Sequence, residues 1–127
     1  YTDEFERQIA SECHRRYAVT VGSGTQALIF AQRLLFPEPS KIIIPTVSFV
    51  ATLNSVLMAG NTPLFCDVDD QALLNLESMD YALEAAGAAG VMYVNIFGNV
   101  IDYDRFETIV KFFNKGFISL IVLFKFN

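Results

Sequence analysis

YAVTVGSGTQALIFAQRLL, residues 17–35, is the stretch on which the reading of this chain turns. Residues 17–21 are rich in aromatic and β-branched side chains, which suit an extended strand. They stop at Gly22-Ser23-Gly24, and residues 25–35 are apolar with good helix formers. The order is strand, tight turn, helix. The first N–H groups of such a helix have no partner within it, and the positive end of its dipole faces whatever the glycines let come close. That combination suits an anion, most often a phosphate. Gly24 keeps a Cβ out of the approach, and Ser23 or Thr25 can add a hydroxyl donor. A capped helix after a glycine turn, with nothing bound, fits the same residues equally well.

Two phosphate motifs can be tested on this turn. A P-loop needs Lys and then Ser or Thr after its second glycine, where this chain has Gln26-Ala27-Leu28, which argues against nucleoside-triphosphate chemistry. The dinucleotide fingerprint is met in its loose form by Gly22-Ser23-Gly24-Thr25-Gln26-Ala27. Its ribose-binding acid belongs at the end of the next strand, about 20 residues on. That strand, residues 41–44, runs into Pro45-Thr46 and carries no acid, so a small dinucleotide-binding α/β domain is the weaker alternative.

The 127 residues make a single domain at most, and 53% hydrophobic content against 18% charged supplies ample core material. Nine Lys plus Arg against 14 Asp plus Glu leave a formal net charge of −5, and no basic run offsets it. A nucleic-acid partner is therefore not expected. Cys13 and Cys66 form no CxxC or Cys/His cluster and read as free thiols of a reducing, cytoplasmic compartment. His14 sits in His14-Arg15-Arg16 and reads as a surface residue. The run FISLIVLFKF at 117–126 is too short to span a membrane and reads as a buried strand. A start at Tyr1 with no leader suggests a trimmed chain or a piece of a longer one.

Outward from the glycine turn, residues 2–16 predict an amphipathic helix with Thr2 or Asp3 as its cap, laying Phe5, Ile9 and Cys13 on a neighbour. Pro37 and Pro39 end the helix after the turn. Apolar strands follow at 41–44, 62–66 and 91–94, and helices at 50–59, 77–86 and 102–114, the second of these with Leu76 or Ser78 near its start. Asp67-Val68-Asp69-Asp70 lacks the spacing of a calcium loop and reads as a turn. Alternation at this pace predicts an α/β fold in three layers, with a mostly parallel sheet and helices on both faces. Ligands on such sheets lie beyond the carboxyl ends of the strands, which points to the loops at 22–25, 45–49 and 95–99.

The blocks YAVTVGSGTQAL, IIIPTVSFVATLNSVLMAGNTPLFCDVD and VMYVNIFGNVIDYD, in that order, resemble the DegT/DnrJ/StrS-type pyridoxal-phosphate-dependent aminotransferases of nucleotide-linked keto sugars, within fold type I. The resemblance covers nearly all of residues 1–114 and implies an incomplete large domain, with 115–127 an atypical apolar end. It implies pyridoxal 5'-phosphate as cofactor, with its phosphate on Gly24, Thr25 and Gln26 and its ring stacked on Phe49. Asn95 stands where relatives often have a histidine facing the same pocket. The implied partners are a nucleotide-sugar substrate and an amino-acid donor, usually glutamate, in a homodimer, with no membrane association. Two parts of the family pattern are missing. Val122 and Leu123 stand about where relatives have an acidic residue and then the Asp that holds the pyridine nitrogen, and neither Lys115 nor Lys125 has the context of the lysine that binds the cofactor covalently. A truncated, inactive chain or a non-catalytic remnant that pairs with a full-length subunit is expected, with no catalytic residue and no metal ligand nominated.

Overall fold

In the computed structural model, which describes residues 1–113 and 115–121, helices and strands alternate as an α/β chain should. The strands are β1 (Lys41–Pro45), β2 (Thr62–Cys66), β3 (Gly90–Asn95) and β4 (Gly116–Ile121). The helices are α1 (Thr2–Glu12), α2 (Gly24–Leu35), α3 (Val50–Met58), α4 (Leu76–Ala86) and α5 (Tyr103–Phe112). The four strands lie in the order β2-β1-β3-β4, and every pairing among them is parallel. Ile43 of β1 stands in register with Leu64 of β2 and Val91 of β3, and Val91 with Phe117 of β4.

Alternate residues of the central strands feed two separate cores. Ile43, Val91 and Tyr93 pack with Met79 and Leu83 of α4 and Phe106 and Val110 of α5. Ile42, Ile44 and Met92 pack with Leu28 of α2 and Val56 of α3. Helices on both faces explain why β1 and β3 are apolar without alternation, since neither face meets water. The three-layer α/β expectation is thus met. Tyr93 and Phe106 meet edge-on with centroids 4.6 Å apart, a favoured aromatic geometry. β2 is an edge of the described sheet, where Pro63 costs no ladder bond that the sheet needs.

Local sequence explains most boundaries. Gly60 (φ 87°) and Gly87 (φ 64°) take the left-handed conformation after α3 and α4. α4 is capped by Asn75, whose Oδ1 accepts from the N–H groups of Glu77 and Ser78 at 3.0 Å each, so its start lies ahead of the residues expected. In the acidic turn, Asp69 Oδ1 accepts from the N–H groups of Gln71 at 2.9 Å and Leu73 at 3.0 Å, which is turn chemistry.

Two expectations are overturned at the front of the chain. Residues 17–21 form no strand, and Tyr17, Val19 and Val21 are exposed. An extended preference becomes a strand only when a neighbour completes the hydrogen-bond ladder, and none among the described residues does. The N-cap of α1 is Tyr1, with no side-chain cap, so Thr2 and Asp3 lie inside the helix and do not cap it, and Phe5, Ile9 and Cys13 face solvent instead of a neighbour. Its tie to the following segment is polar: Glu6 Oε1 accepts from the Thr20 N–H at 2.7 Å and from the Thr20 hydroxyl at 2.8 Å. Of the apolar run near the end, residues 116–121 form β4. Val122, Leu123 and Lys125 lie outside the described residues.

Candidate functional site

The first turn of α2 is built by a reciprocal cap. Ser23 is extended (φ −161°), and its Oγ accepts from the Gln26 N–H at 3.3 Å. Gln26 Oε1 in turn accepts from the Gly22 N–H at 2.9 Å. This is a capping box shifted back by one residue, and its Ser-x-x-Gln spacing is legible in the sequence although the glycines draw the eye first. A Cβ at Gly22 would stand 2.8 Å from Gln26 Oε1, so glycine there makes room for the clamp. A Cβ at Gly24 would meet nothing within 4 Å. Gly24 therefore has no packing reason to lack a side chain.

The cap sorts the residues nominated from sequence into two roles. The N–H groups of Gly24 and Thr25 make no hydrogen bond among the described residues and point out of the helix start. Gln26 spends both its N–H and its side-chain carbonyl on the cap, so it braces the turn.

Phe49 is brought to the same end of the sheet. α2 connects through residues 36–40 to the start of β1, so its own N-terminus lies at the carboxyl edge, where α3 also begins. Gln32 Nε2 donates to Ser55 Oγ at 2.9 Å and fixes the two helices side by side. Counting back from that contact at about 1.5 Å per residue, Gly24 lies roughly 12 Å and Phe49 roughly 9 Å toward the carboxyl edge. The two starts are level to within a turn. Phe49 is the N-cap of α3 and 60% exposed, leaving its ring available. Neither α2 nor α3 has an acidic residue in its first turn, whereas α1, α4 and α5 carry Asp3 and Glu4, Glu77 and Asp104 there. The two positive helix ends that flank the site are thus the uncompensated ones, a signal that the sequence carries once helix starts are known.

The chain steps from β1 to β2 on one side and to β3 on the other, so the carboxyl ends of β1 and β3 flank a topological switch point. The loop beyond β3 turns at Phe97 (φ 57°) and Gly98 (φ 83°), with Phe97 exposed. Asn95 Oδ1 accepts from the Ile101 N–H at 3.1 Å, which closes this loop and engages the group that the resemblance would aim at the pocket. Lys41 and Lys115 stand at the opposite, amino edge, where β1 and β4 begin. Among the described residues, no group of three or more His, Cys, Asp or Glu side chains could hold a metal ion, and no helix is long and apolar enough to cross a membrane.

Comparison with known proteins gives this geometry a family. The sequence profile of the DegT/DnrJ/EryC1/StrS aminotransferases matches residues 1–115. The chain belongs to that family. It is 29% identical over 113 residues to GDP-perosamine synthase of Escherichia coli O157:H7, a match covering 87% of this chain and 31% of the relative. It is 35% identical over 72 residues to 3-oxo-glucose-6-phosphate:glutamate aminotransferase of Bacillus subtilis, covering 56% of this chain and 16% of the relative. The fold superposes on the crystal structure of NtdA from Bacillus subtilis with bound cofactor PMP at a TM-score of 0.86 and 26% identity, covering 94% of this chain and 28% of that one. The chain spans about a third or less of the length of these family members. The dinucleotide alternative is not favoured, since the glycine turn of this family member follows no paired strand and opens a helix that leads into β1.

Proposed function

We propose that these residues form the phosphate- and ring-holding part of the cofactor site of a pyridoxal-phosphate-dependent aminotransferase that acts on a nucleotide-linked keto sugar. The observation that carries the reading is the open pair of N–H groups at Gly24 and Thr25, level with the exposed ring of Phe49, in a chain of this family. The cofactor fits these residues: the helix start offers donors, positive potential and clear space to a phosphate, and Phe49 offers a flat face to a pyridine ring. When bound, pyridoxal phosphate supplies the electron sink that amino-group chemistry needs.

In this reading each of the chain's own groups has a role. Gly24 and Thr25 bind and orient the phosphate, Ser23 and Gln26 hold the turn that presents them, and Phe49 covers one face of the ring. The amino donor is glutamate, the working assembly is a homodimer, and the compartment is the cytoplasm. No residue of the described part is assigned to proton transfer.

Replacing Gly24 by Val tests this reading. The new Cβ meets no protein atom, so the helical circular dichroism and melting temperature should hold while the branched side chain fills the anion's approach. Inorganic phosphate and pyridoxal phosphate, titrated against the chain by phosphorus NMR, should bind at least about tenfold more weakly to the variant, a loss comparable to that of a charged hydrogen bond. Equal affinity in variant and parent removes Gly24 from the site.

A further inference from the structure

The interface between α2 and α3 contains a buried polar chain that the cofactor site does not itself require. Gln32, Thr52 and Ser55 are fully buried and Asn61 nearly so. Asn61 Nδ2 donates to Gln32 Oε1 at 3.4 Å, Gln32 Nε2 donates to Ser55 Oγ at 2.9 Å, and the Ser55 hydroxyl donates to the Thr52 carbonyl at 2.9 Å. Asn61 Oδ1 accepts from the Ser40 N–H at 3.0 Å, which extends the chain to the segment that enters β1. All donation runs one way, from the strand-entry side toward the first turn of α3.

Elsewhere the buried part of this interface is apolar. Leu28, Ala31, Leu53 and Val56 are aliphatic, and their contacts are non-directional, so they select one register less sharply than a hydrogen bond does. A buried amide tolerates no slide of one helix along the other, because a slip of about an ångström leaves its donor or acceptor unpaired in an apolar surround. Fixing register is the best-attested use of buried polar side chains. The site depends on that register. Gly24 and Thr25 are on α2 and Phe49 caps α3, so the distance from phosphate donors to ring follows the slide of one helix on the other.

We infer that Gln32, through its bond to Ser55, is a positioning residue: it sets the register of α2 on α3 and so holds the N–H groups of Gly24 and Thr25 at a fixed distance from Phe49. The inference rests on the reading of the site given above, but the register itself can be read with no ligand present. Arg33, whose guanidinium donates to the Met58 carbonyl at 3.1 Å, joins the same helices at their far ends, but it is exposed and free to follow a slide.

The test pairs Gln32→Met with Ser55→Ala in the full 127-residue chain, a near-isosteric change that removes both sides of that bond and, with it, the 3.4 Å contact from Asn61 Nδ2. Nuclear Overhauser contacts between α2 and α3 should change to those of a shifted or averaged register, in a chain that still unfolds cooperatively. Pyridoxal phosphate affinity should fall about fivefold or more, and Arg33→Ala should change neither the contacts nor the affinity. Contacts identical to the parent's overturn the inference whether or not any ligand binds. A shifted register with unchanged affinity overturns the link to the site. A parent chain that binds neither phosphate nor pyridoxal phosphate defeats the reading of the site, while the ligand-free contacts still decide the role of Gln32.

Discussion

Gly22 and Gly24 are a residue apart in the pattern and opposite in cause. Gly22 lacks a side chain because Gln26 Oε1 needs the space, whereas nothing in the protein occupies the space beside Gly24. Gly60, Gly87 and Gly98 also border open space, but their positive φ accounts for them, so Gly24 is the one that the proposed phosphate site would explain, a distinction the sequence pattern alone could not draw. The cysteines differ in the same way. Cys13 is exposed beyond α1, while Cys66 is 4% exposed at the end of β2, and burial pushes its thiol up from 9.0 to about 11. A disulfide-exchange reagent at pH 8 should therefore modify one thiol quickly in the native chain and two in denaturant. Because the folded thiol keeps its proton to higher pH than the unfolded one, the Cys66 contribution to stability is present below pH 9 and is lost as pH rises from about 9 toward 11. Denaturation of Cys66→Ala should show a shallower alkaline decline over that window, and equally fast native reaction of both thiols would contradict the burial argument.

At the scale of elements, the polar tie between α1 and residues 17–21 predicts an acid-labile front end. The two bonds from Thr20 to Glu6 Oε1 hold the Glu6 carboxyl below its usual 4.5. The carboxylate is the bonded form, so the tie is intact above pH 4.5 and is lost as pH falls through the lower, folded value. The Thr20 amide proton resonance should titrate with a midpoint under 4.5 and lose its titration in Glu6→Gln, and a midpoint at or above 4.5 would refute the tie. The same elements show what a linear reading can reach. β1 and β3 were legible because buried parallel strands need unbroken apolar runs, and the ends of α3 and α4 because Gly60 and Gly87 supply left-handed stops. Residues 17–21 and the face of α1 were misread because both depend on a neighbour that periodicity cannot supply. The candidate site was half legible: the glycine turn and the Ser-x-x-Gln spacing announce a capped helix start, but the Gln32–Ser55 pin depends on which atoms meet after folding.

At the scale of the molecule, function turns on which edge of the sheet each charged group occupies. All described helices from α2 onward start at the carboxyl edge, so the site gathers two open helix starts and Phe49 on one side. The described lysines go the other way. Lys41 opens β1, Lys115 precedes β4, and Lys111 lies in the last turn of α5 paired with Glu107 at 3.0 Å, which places all three toward the amino edge. Across strands of five or six residues that separation is roughly 15–20 Å, beyond the reach of a lysine side chain. Covalent cofactor chemistry needs an amine inside the pocket, and none of these three can supply it. We therefore expect the 127-residue chain to bind pyridoxal phosphate without accelerating amino transfer. With glutamate and added pyridoxal phosphate, the rate should equal that of the cofactor alone, and borohydride should trap no adduct on Lys41, Lys111 or Lys115 above the level of a denatured control. A rate well above the protein-free reaction, or a selective adduct at one of these lysines, would mean that the edges of the sheet do not divide binding from chemistry as described.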